Sequence, residues 1–454
     1  MTSHSFKVLQ AFGDESPQDT VQDADIISAL AFDKTGDYVA VGDHGGRIIL
    51  FSNNQNTQNK KKSIEYKFLC EFQSHSSQFD YLKSVDIEEK VNRIQWLPNQ
   101  PNARFLLSTN EKIIKLWKIS NSFEYETQQF NLNKNGDLKR NITSINQIKF
   151  PRIEKKNPAI ATNLSKSFQN GHIYNINSLS LNSDGETFLS ADDLRINIWN
   201  LNDASQAFII ADIKPEEIEK LSDVITVAKF HPKECNIFAF ATSKGIIRFG
   251  DLRESAVCSH FSKVMQVDES TKYHTFFTDI INSVSEIEFS PEGPYFSSRD
   301  FMSIKVWDIR KENVPVSNID VHPFLLPNLF ELYERDYFFD KFESAFSFDS
   351  KFLLTGSYGN HFFIYDWEKQ TKTMVKGIQT TEIFDNFVSI EEDKKKHVFE
   401  YNIHSVDYTR KVLNIAYHPF THCFVIAATN NIYIYSGEPK QEKQEKQEKN
   451  NSNN

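Results

Sequence analysis

Cysteine is scarce in this chain: four in 454 residues, Cys70, Cys235, Cys258 and Cys423, with no CxxC pair among them. That spacing suggests neither a zinc knuckle nor a disulfide framework and leaves buried thiols as the plain expectation. No run approaches about 20 apolar residues, and the opening MTSHSFKVLQ lacks a basic start followed by a long apolar core. The protein is therefore expected to be neither secreted nor membrane-spanning. The glycosylation patterns at Asn141-Ile142-Thr143 and Asn163-Leu164-Ser165 then mean nothing. Positive charge is in deficit, with 51 Lys and Arg against 61 Asp and Glu and a net charge of −10. Nucleic-acid binding normally needs a basic stripe, so a basic peptide is the more natural partner. A catalytic set is also missing. The 13 histidines are spread out, and no Ser/His/Asp or metal-spaced cluster stands out. The glycine-rich GDHGG at 42–46 is flanked by strand-like runs on both sides, whereas a phosphate cradle sits between a strand and a helix N-terminus. The chain reads as a non-enzyme that needs no cofactor and no metal.

What is present is repetition. Seven runs end in an aromatic residue after alternating apolar and polar positions: RIILFS (Phe51), IIKLWK (Trp117), RINIWN (Trp199), IIRFGD (Phe249), IKVWDI (Trp307), FFIYDW (Tyr365) and NIYIYS (Tyr435). The fullest unit, residues 24–51, shows three strands and two turns. Ile26, Leu30 and Phe32 alternate, Lys34-Thr35-Gly36-Asp37 turns, 38–41 forms the second strand, and Asp43-His44-Gly45-Gly46 makes the hairpin into the third. Such units cannot bury an apolar face alone and must stack. This is the WD-repeat pattern of an all-β, seven-bladed β-propeller, although only Trp307-Asp308 keeps the Trp-Asp pair. With 39 phenylalanines there is ample material for the wedges between blades. The repeats run nearly end to end, so residues 1–437 are expected to form one propeller and 438–454 a polar tail too hydrophilic to pack.

Departures from the repeat carry the individuality. Residues 53–62, NNQNTQNKKK, form a polar low-complexity loop. Between 120 and 151, YETQQFNLN and ITSINQIKF alternate around Asn135-Gly136-Asp137, a turn signal, so a long hairpin should project from the second blade. Exposed apolar teeth on a hairpin call for a cover, either a partner or the propeller's own side. SFKVLQAF, residues 5–12, alternates like a strand and is expected to complete the last blade.

Two segments between blades are too particular for generic filler: residues 72–98, FQSHSSQFDYLKSVDIEEKVNRIQWLP, and residues 168–199, FQNGHIYNINSLSLNSDGETFLSADDLRINIW. Both closely resemble signature segments of the 55-kDa regulatory B-type family of protein phosphatase 2A subunits. The resemblance continues in order through DADIIS (23–28), GDHGGRIILF (42–51), FLLSTNEKIIKLWKIS (105–120), DIKPEEIEKLSDVIT (212–226), FFDKFE (338–343) and AATNNIYIY (427–435). It weakens in the low-complexity loop, the tail and residues 369–401. The resemblance implies a non-catalytic subunit that joins a helical-repeat scaffold subunit and a metal-dependent catalytic subunit, and that recruits phosphoprotein substrates.

Carboxylates collect in loops: Asp192 and Asp193, Glu216, Glu217 and Glu219, then Glu331, Glu334, Asp336 and Asp340. A basic substrate segment suits such a face. The resemblance places substrate contacts on Asp193, Leu221, Phe339, Asp340 and Lys341, with Tyr174, Glu334 and Asp336 as neighbours. By itself either of the adjacent aspartates could cap its own turn, leaving the other free for a basic side chain. Leu221 and Phe339 would be core residues by default. The hairpin resembles the family's scaffold-binding arm, with Phe130, Leu132, Ile142, Ile145 and Ile148 as its teeth. Phe79, Asp80, Tyr81, Leu82 and Lys83 of FDYLKS are candidates for contact with the catalytic subunit, or packing between the first two blades. The family more often has Lys where His44 stands, and a ligand contact there would depend on pH near neutrality. A WD-repeat adaptor unrelated to phosphatase is the competing reading. Cytoplasmic placement is expected, with nuclear entry open because the Lys runs at 60–62 and 394–396 are short.

Overall fold

Each of the seven repeat units folds as four antiparallel strands, the innermost first in sequence. The computed structural model describes residues 4–13, 21–53, 64–81, 83–100, 103–128, 130–131, 144–145, 148–255, 257–258, 262–266, 276–311, 314–369, 371–376 and 407–439. Blade 1 is Ile27–Phe32, Tyr38–Asp43, Arg47–Asn53 and Tyr66–Gln73. Blade 2 is Arg93–Trp96, Arg104–Thr109, Ile114–Gln128 and Arg152–Phe168, and blade 3 is Ser178–Leu181, Thr187–Ala191, Arg195–Asn200 and Asp203–Asp212. Blades 4, 5 and 6 begin at Ile225–Phe230, Glu286–Phe289 and Ser344–Phe346. Blade 7 combines Ile415–Tyr417, Cys423–Ala428 and Asn431–Pro439 with the N-terminal strand His4–Phe12 as its outer member. The expected closure by the first strand is therefore present. Gly46 shows what the repeated hairpin turn demands: its φ is +78°, and a Cβ there would meet the His75 carbonyl oxygen at 2.3 Å.

The apolar alternation puts side chains on both faces of every blade, and the core follows as one wedge per seam. Ile48, Leu50, Trp96 and Trp117 fill the wedge between blades 1 and 2, and Phe188 and Trp199 meet Leu107 and Phe168 between blades 2 and 3. Equivalent clusters occupy the other five seams, including that between blades 7 and 1. An eighth cluster lies under the helical connection between blades 5 and 6, where Leu325, Leu332 and Phe338 pack on Phe301 and Tyr358. At the start of the inner strands, short polar side chains stitch neighbours together. Ser28 Oγ donates to the Val91 carbonyl, Asn92 to Ile176, Asn177 to Ile225, Ser285 to Phe342, and Asn414 to Ser28.

Within a blade the strands alternate in direction from inside to outside. Second-to-third turns and connections to the next blade therefore share one end of the propeller, hereafter the near end, and first-to-second and third-to-fourth turns share the far end. Asp193, Tyr174, Leu221, the 334–341 segment and FDYLKS all fall at the near end. The hairpin of blade 2 leaves from the far end.

That hairpin differs from its sequence expectation in one respect. The outgoing strand runs to Gln128, but the returning strand is Arg152–Phe168, pairing Gln128 with Arg152 and Ser122 with Ala159. ITSINQIKF is not strand in its described residues. Lys155 and Lys156 mask the alternation of the true return, and Pro158 sits opposite Phe123 beside a bulge, where a missing N–H is tolerated. The Asn135-Gly136-Asp137 turn, the 54–62 loop and the tail from 440 lie outside the described residues. The thiols also differ: Cys258 and Cys423 are buried, but Cys235 is exposed and Cys70 only half-buried. No helix among the described residues is long and apolar enough to cross a membrane.

His75 makes the fold acid-sensitive. It is buried beside Ser108 Oγ at 3.2 Å, and burial, helped by the Lys115 cation, pushes its imidazole down to about 3. Its folded value thus lies below the unfolded value of about 6.5, so its contribution is complete above that pH and is lost as pH falls towards 3. Urea unfolding of wild type and His75→Gln is expected to show a stability gap at pH 7.5 that narrows by about 2 kcal/mol at pH 5. An unchanged gap would mean that His75 titrates freely in the folded protein.

Candidate functional site

The near end is organised around the turn Asp192-Asp193-Leu194. Asp192 is fully buried, and its Oδ1 accepts the N–H groups of Leu194 and Arg195 at 2.9 and 2.7 Å. Its Oδ2 faces His172 Nδ1 at 3.0 Å, His172 Nε2 lies 2.6 Å from Ser190 Oγ, and Ser190 accepts the Trp199 indole N–H at 2.8 Å. Burial works to raise the Asp192 carboxyl, but the His172 bond and the two N–H groups hold it below its usual range. An Asp–His–Ser order thus does exist, contrary to the sequence expectation, because partners 18 and 20 residues apart meet across the blade. Ser190 is completely buried and already takes the indole proton, so no substrate carbonyl can reach it. The relay is a structural strut. It locks the aspartate turn to the 171–175 loop, whose Gly171 lies so close to Trp199 that a Cβ would sit 2.3 Å from Cζ2.

With Asp192 spent on capping, Asp193 is the less committed carboxylate of the pair, holding a side-chain hydrogen bond with Asn177. It is half-buried, and burial raises its pKa against the opposing field of Lys341. Lys341 keeps exposed surface while protein crowds around its ammonium group. Desolvation and the Arg93 cation lower its pKa, and Asp193 and Glu286 oppose them. Asp193 and Lys341 thus act on each other electrostatically at the near end. Leu221 is 37% exposed and Phe339 63%, so neither belongs to the core. Phe339 and Lys341 line a pocket of about 370 Å³ with Ile280, Phe301 and Phe338, and Ser222 on its wall adjoins Leu221. Tyr174, Glu334 and Asp336 are exposed on connections of the same end. Asp340 is committed: its carboxylate pairs with Lys411 and accepts the Tyr358 hydroxyl at 3.0 Å. Glu217 pairs with Lys220 and Glu331 with Arg335.

The inner strands enclose a channel of about 340 Å³. Arg93 of blade 2 donates to Glu286 of blade 5 at 2.8 Å and to Glu343 beside blade 6, and Lys229 of blade 4 reaches Glu286 at 2.6 Å and Glu288. Burial acts against charge in all of them. Lys229 and Arg93 still hold Glu286 below its ordinary value, whereas burial outweighs Arg93 at Glu343 and Lys229 at Glu288 and raises both. The sequence alone discloses no convergent carboxylates here. The signal that could have found them is the alternation of SEIEF, which sends Glu286 and Glu288 into the channel and Ile287 into a wedge.

Comparison with known proteins agrees with this architecture. A family model described as "WD domain, G-beta repeat" matches residues 163–200, the outer strand of blade 2 and three strands of blade 3. The chain is 40% identical, over 95% of its length and 98% of the relative's, to the serine/threonine-protein phosphatase 2A regulatory subunit phr2AB of Dictyostelium discoideum. It is 41% identical to the B-type regulatory subunit of protein phosphatase PP2A from Schizosaccharomyces pombe, covering 95% and 97% of the two chains. Against the protein of the same description from Candida tropicalis it is 48% identical over 78% and 70%. The chain belongs to the B family of protein phosphatase 2A regulatory subunits. Membership gives it a regulatory rather than a catalytic role.

The remaining candidates of this B-family chain divide cleanly. Phe79 and Tyr81 stack edge-on, with centroids 5.1 Å apart, on a small sheet of Gln78–Asp80 and Val85–Ile87. Tyr81 is 86% exposed, so the pair presents a surface instead of filling a seam. Asp80 is half-buried and Lys83 reaches the Ile173 carbonyl, while Leu82 lies outside the described residues. On the arm, Ile145 and Ile148 are exposed and Phe130 is half-buried; Leu132 and Ile142 lie outside the described residues. Phe123, Tyr125, Phe150 and Ile153 are also exposed there, and the sequence pattern misses them because it places the returning strand too early. Burial and the Lys90 cation push the His44 imidazole down to about 4 in the unliganded protein.

Proposed function

We propose that this chain is the substrate-recruiting subunit of a serine/threonine phosphatase 2A heterotrimer. Its near end binds basic segments of phosphoproteins through Asp193, Leu221, Phe339 and Lys341, with Tyr174, Glu334 and Asp336 around them. Its arm grips the helical-repeat scaffold subunit, and the exposed Phe79–Tyr81 pair of the FDYLKS turn meets the catalytic subunit. The observation that carries this reading is the sorting of candidates by end. The substrate candidates all lie on connections of the near end, where Phe339 and Lys341 share a pocket, whereas the apolar teeth of the arm leave from the opposite end. A substrate held at the near end is presented to the neighbouring active site at high effective concentration. Residues of the rim supply charge, and Leu221 and Phe339 supply apolar anchors.

Affinity purification tests both halves. Register pairs Ser122 with Ala159, so replacing residues 123–158 with Asn-Gly closes a short hairpin and leaves the blade intact. This variant is expected to lose scaffold and catalytic subunits. Asp193→Lys is expected to keep both and to lose tenfold or more of turnover on a basic phosphopeptide, with roughly one charge-assisted contact removed and a repulsion added. Wild type that retrieves no phosphatase chain would leave the adaptor reading.

A further inference from the structure

Lys83 and Lys112 come from different segments, the turn of the small two-stranded sheet and the second-to-third turn of blade 2. Both ammonium groups nevertheless donate to one acceptor, the Ile173 carbonyl oxygen, at 2.8 and 2.6 Å. Neither makes an ion pair with a carboxylate among the described residues. The acidic groups whose fields reach Lys112 are Glu111, Asp192 and Asp80, and each is occupied elsewhere. Glu111 accepts the Asn175 amide at 3.1 Å, Asp192 is spent on its turn and His172, and Asp80 Oδ1 accepts the Lys83 backbone N–H at 3.2 Å. Two like charges thus share a single neutral oxygen, and burial together with Lys83 depresses the Lys112 pKa. Lys83 is exposed and Lys112 half-buried, so solvent reaches the pair. Tyr174 directly follows the shared carbonyl, and Lys112 is among the cations acting on Asp193.

The geometry points to Lys83 and Lys112 as a seat for a phosphate dianion, carried as a phosphoserine or phosphothreonine on the recruited segment. Two convergent ammonium groups match a tetrahedral dianion, which offers each its own oxygen and cancels their repulsion. The phosphoryl group held here is not the one hydrolysed, since this chain is not catalytic. It is a second mark that selects multiply phosphorylated substrates. The inference rests on the near end being the substrate site.

Fluorescence anisotropy with the purified full chain tests it. The probes are an unphosphorylated basic peptide and the same peptide with one phosphoserine scanned through every position. For wild type at low salt, phosphoserine at one or two spacings should raise affinity about tenfold. Lys83→Gln/Lys112→Gln should lose that gain, binding each phosphopeptide no more tightly than the same variant binds the unphosphorylated peptide. Retention of the gain in the double variant overturns the seat and leaves the proposed function standing. If wild type does not bind the unphosphorylated peptide, the proposed function falls, and inorganic phosphate then reads the seat directly. A rise in melting temperature with millimolar phosphate in wild type, absent from the double variant, supports it as a free-phosphate site, and equal behaviour of the two proteins overturns it.

Discussion

Arg93→Met is expected to destabilise the protein by about 3–5 kcal/mol, the usual consequence of removing one partner from a buried ion pair. Methionine fills a similar volume, so the loss measures stranded charge. Glu286 would keep Lys229 as an ion-pair partner, but Glu343, its side chain 13% exposed, would be left with the Ile415 N–H at 3.1 Å and the more distant field of Lys229 among the described residues. The network reaches blades 2, 4, 5, 6 and 7, so the loss is not confined to one wedge. Urea unfolding of Arg93→Met, Glu343→Gln and the double variant forms the relevant cycle. The double variant should recover much of the loss, because a neutral amide in place of the Glu343 carboxylate strands no charge. A single variant within about 0.5 kcal/mol of wild type would mean that the channel is solvated enough to screen these charges. Arg93 also contributes to the depressed pKa of Lys341, so Arg93→Met should make Lys341 more firmly cationic and alter the proposed substrate site.

The same network shows what a sequence can and cannot disclose. Apolar alternation and closing aromatics are local, so the strand pattern, the seven blades and the GDHGG turn are legible without coordinates. The role of Asp192 as a cap is legible too, since an Asx-type turn is built from neighbours in sequence, although which aspartate caps is not. Arg93 lies 193 residues from Glu286 and 250 from Glu343, and no local pattern joins them. The His172–Asp192 strut escapes for the same reason at shorter range. Exposure is a further blind spot. Leu221, Phe339 and Tyr81 look like core by composition and stand in solvent because the connections that carry them run over the end of the propeller. His44 illustrates the converse: a polar residue in a surface turn is kept neutral by half-burial and by lysines from other segments. The return strand of the arm is displaced in the sequence reading because charge on both edges of a ribbon hides the period of two.

Deletion of residues 1–13 is expected to abolish the soluble folded protein. His4–Phe12 pairs with Asn431–Pro439, so its loss bares a long strand edge, the surface that templates aggregation. The strand also ties blade 7 to both neighbours. Phe6 is buried 5.5 Å from Phe424 and meets Phe352 of blade 6 edge-on. Gln10 exchanges two hydrogen bonds with the backbone of Tyr66 in blade 1, at 2.7 and 3.0 Å, and Phe12 packs on Phe51 at 4.6 Å. Closure is therefore cooperative: seven wedges need seven seams, and two of them meet at this strand. The milder Phe6→Ala should cost about 3–5 kcal/mol and remain folded. Because the missing element is a single edge strand, a synthetic peptide of residues 1–13 added during refolding should restore a soluble product by strand addition. A truncated chain that is monomeric and melts like wild type would show that the ring closes through its wedges alone.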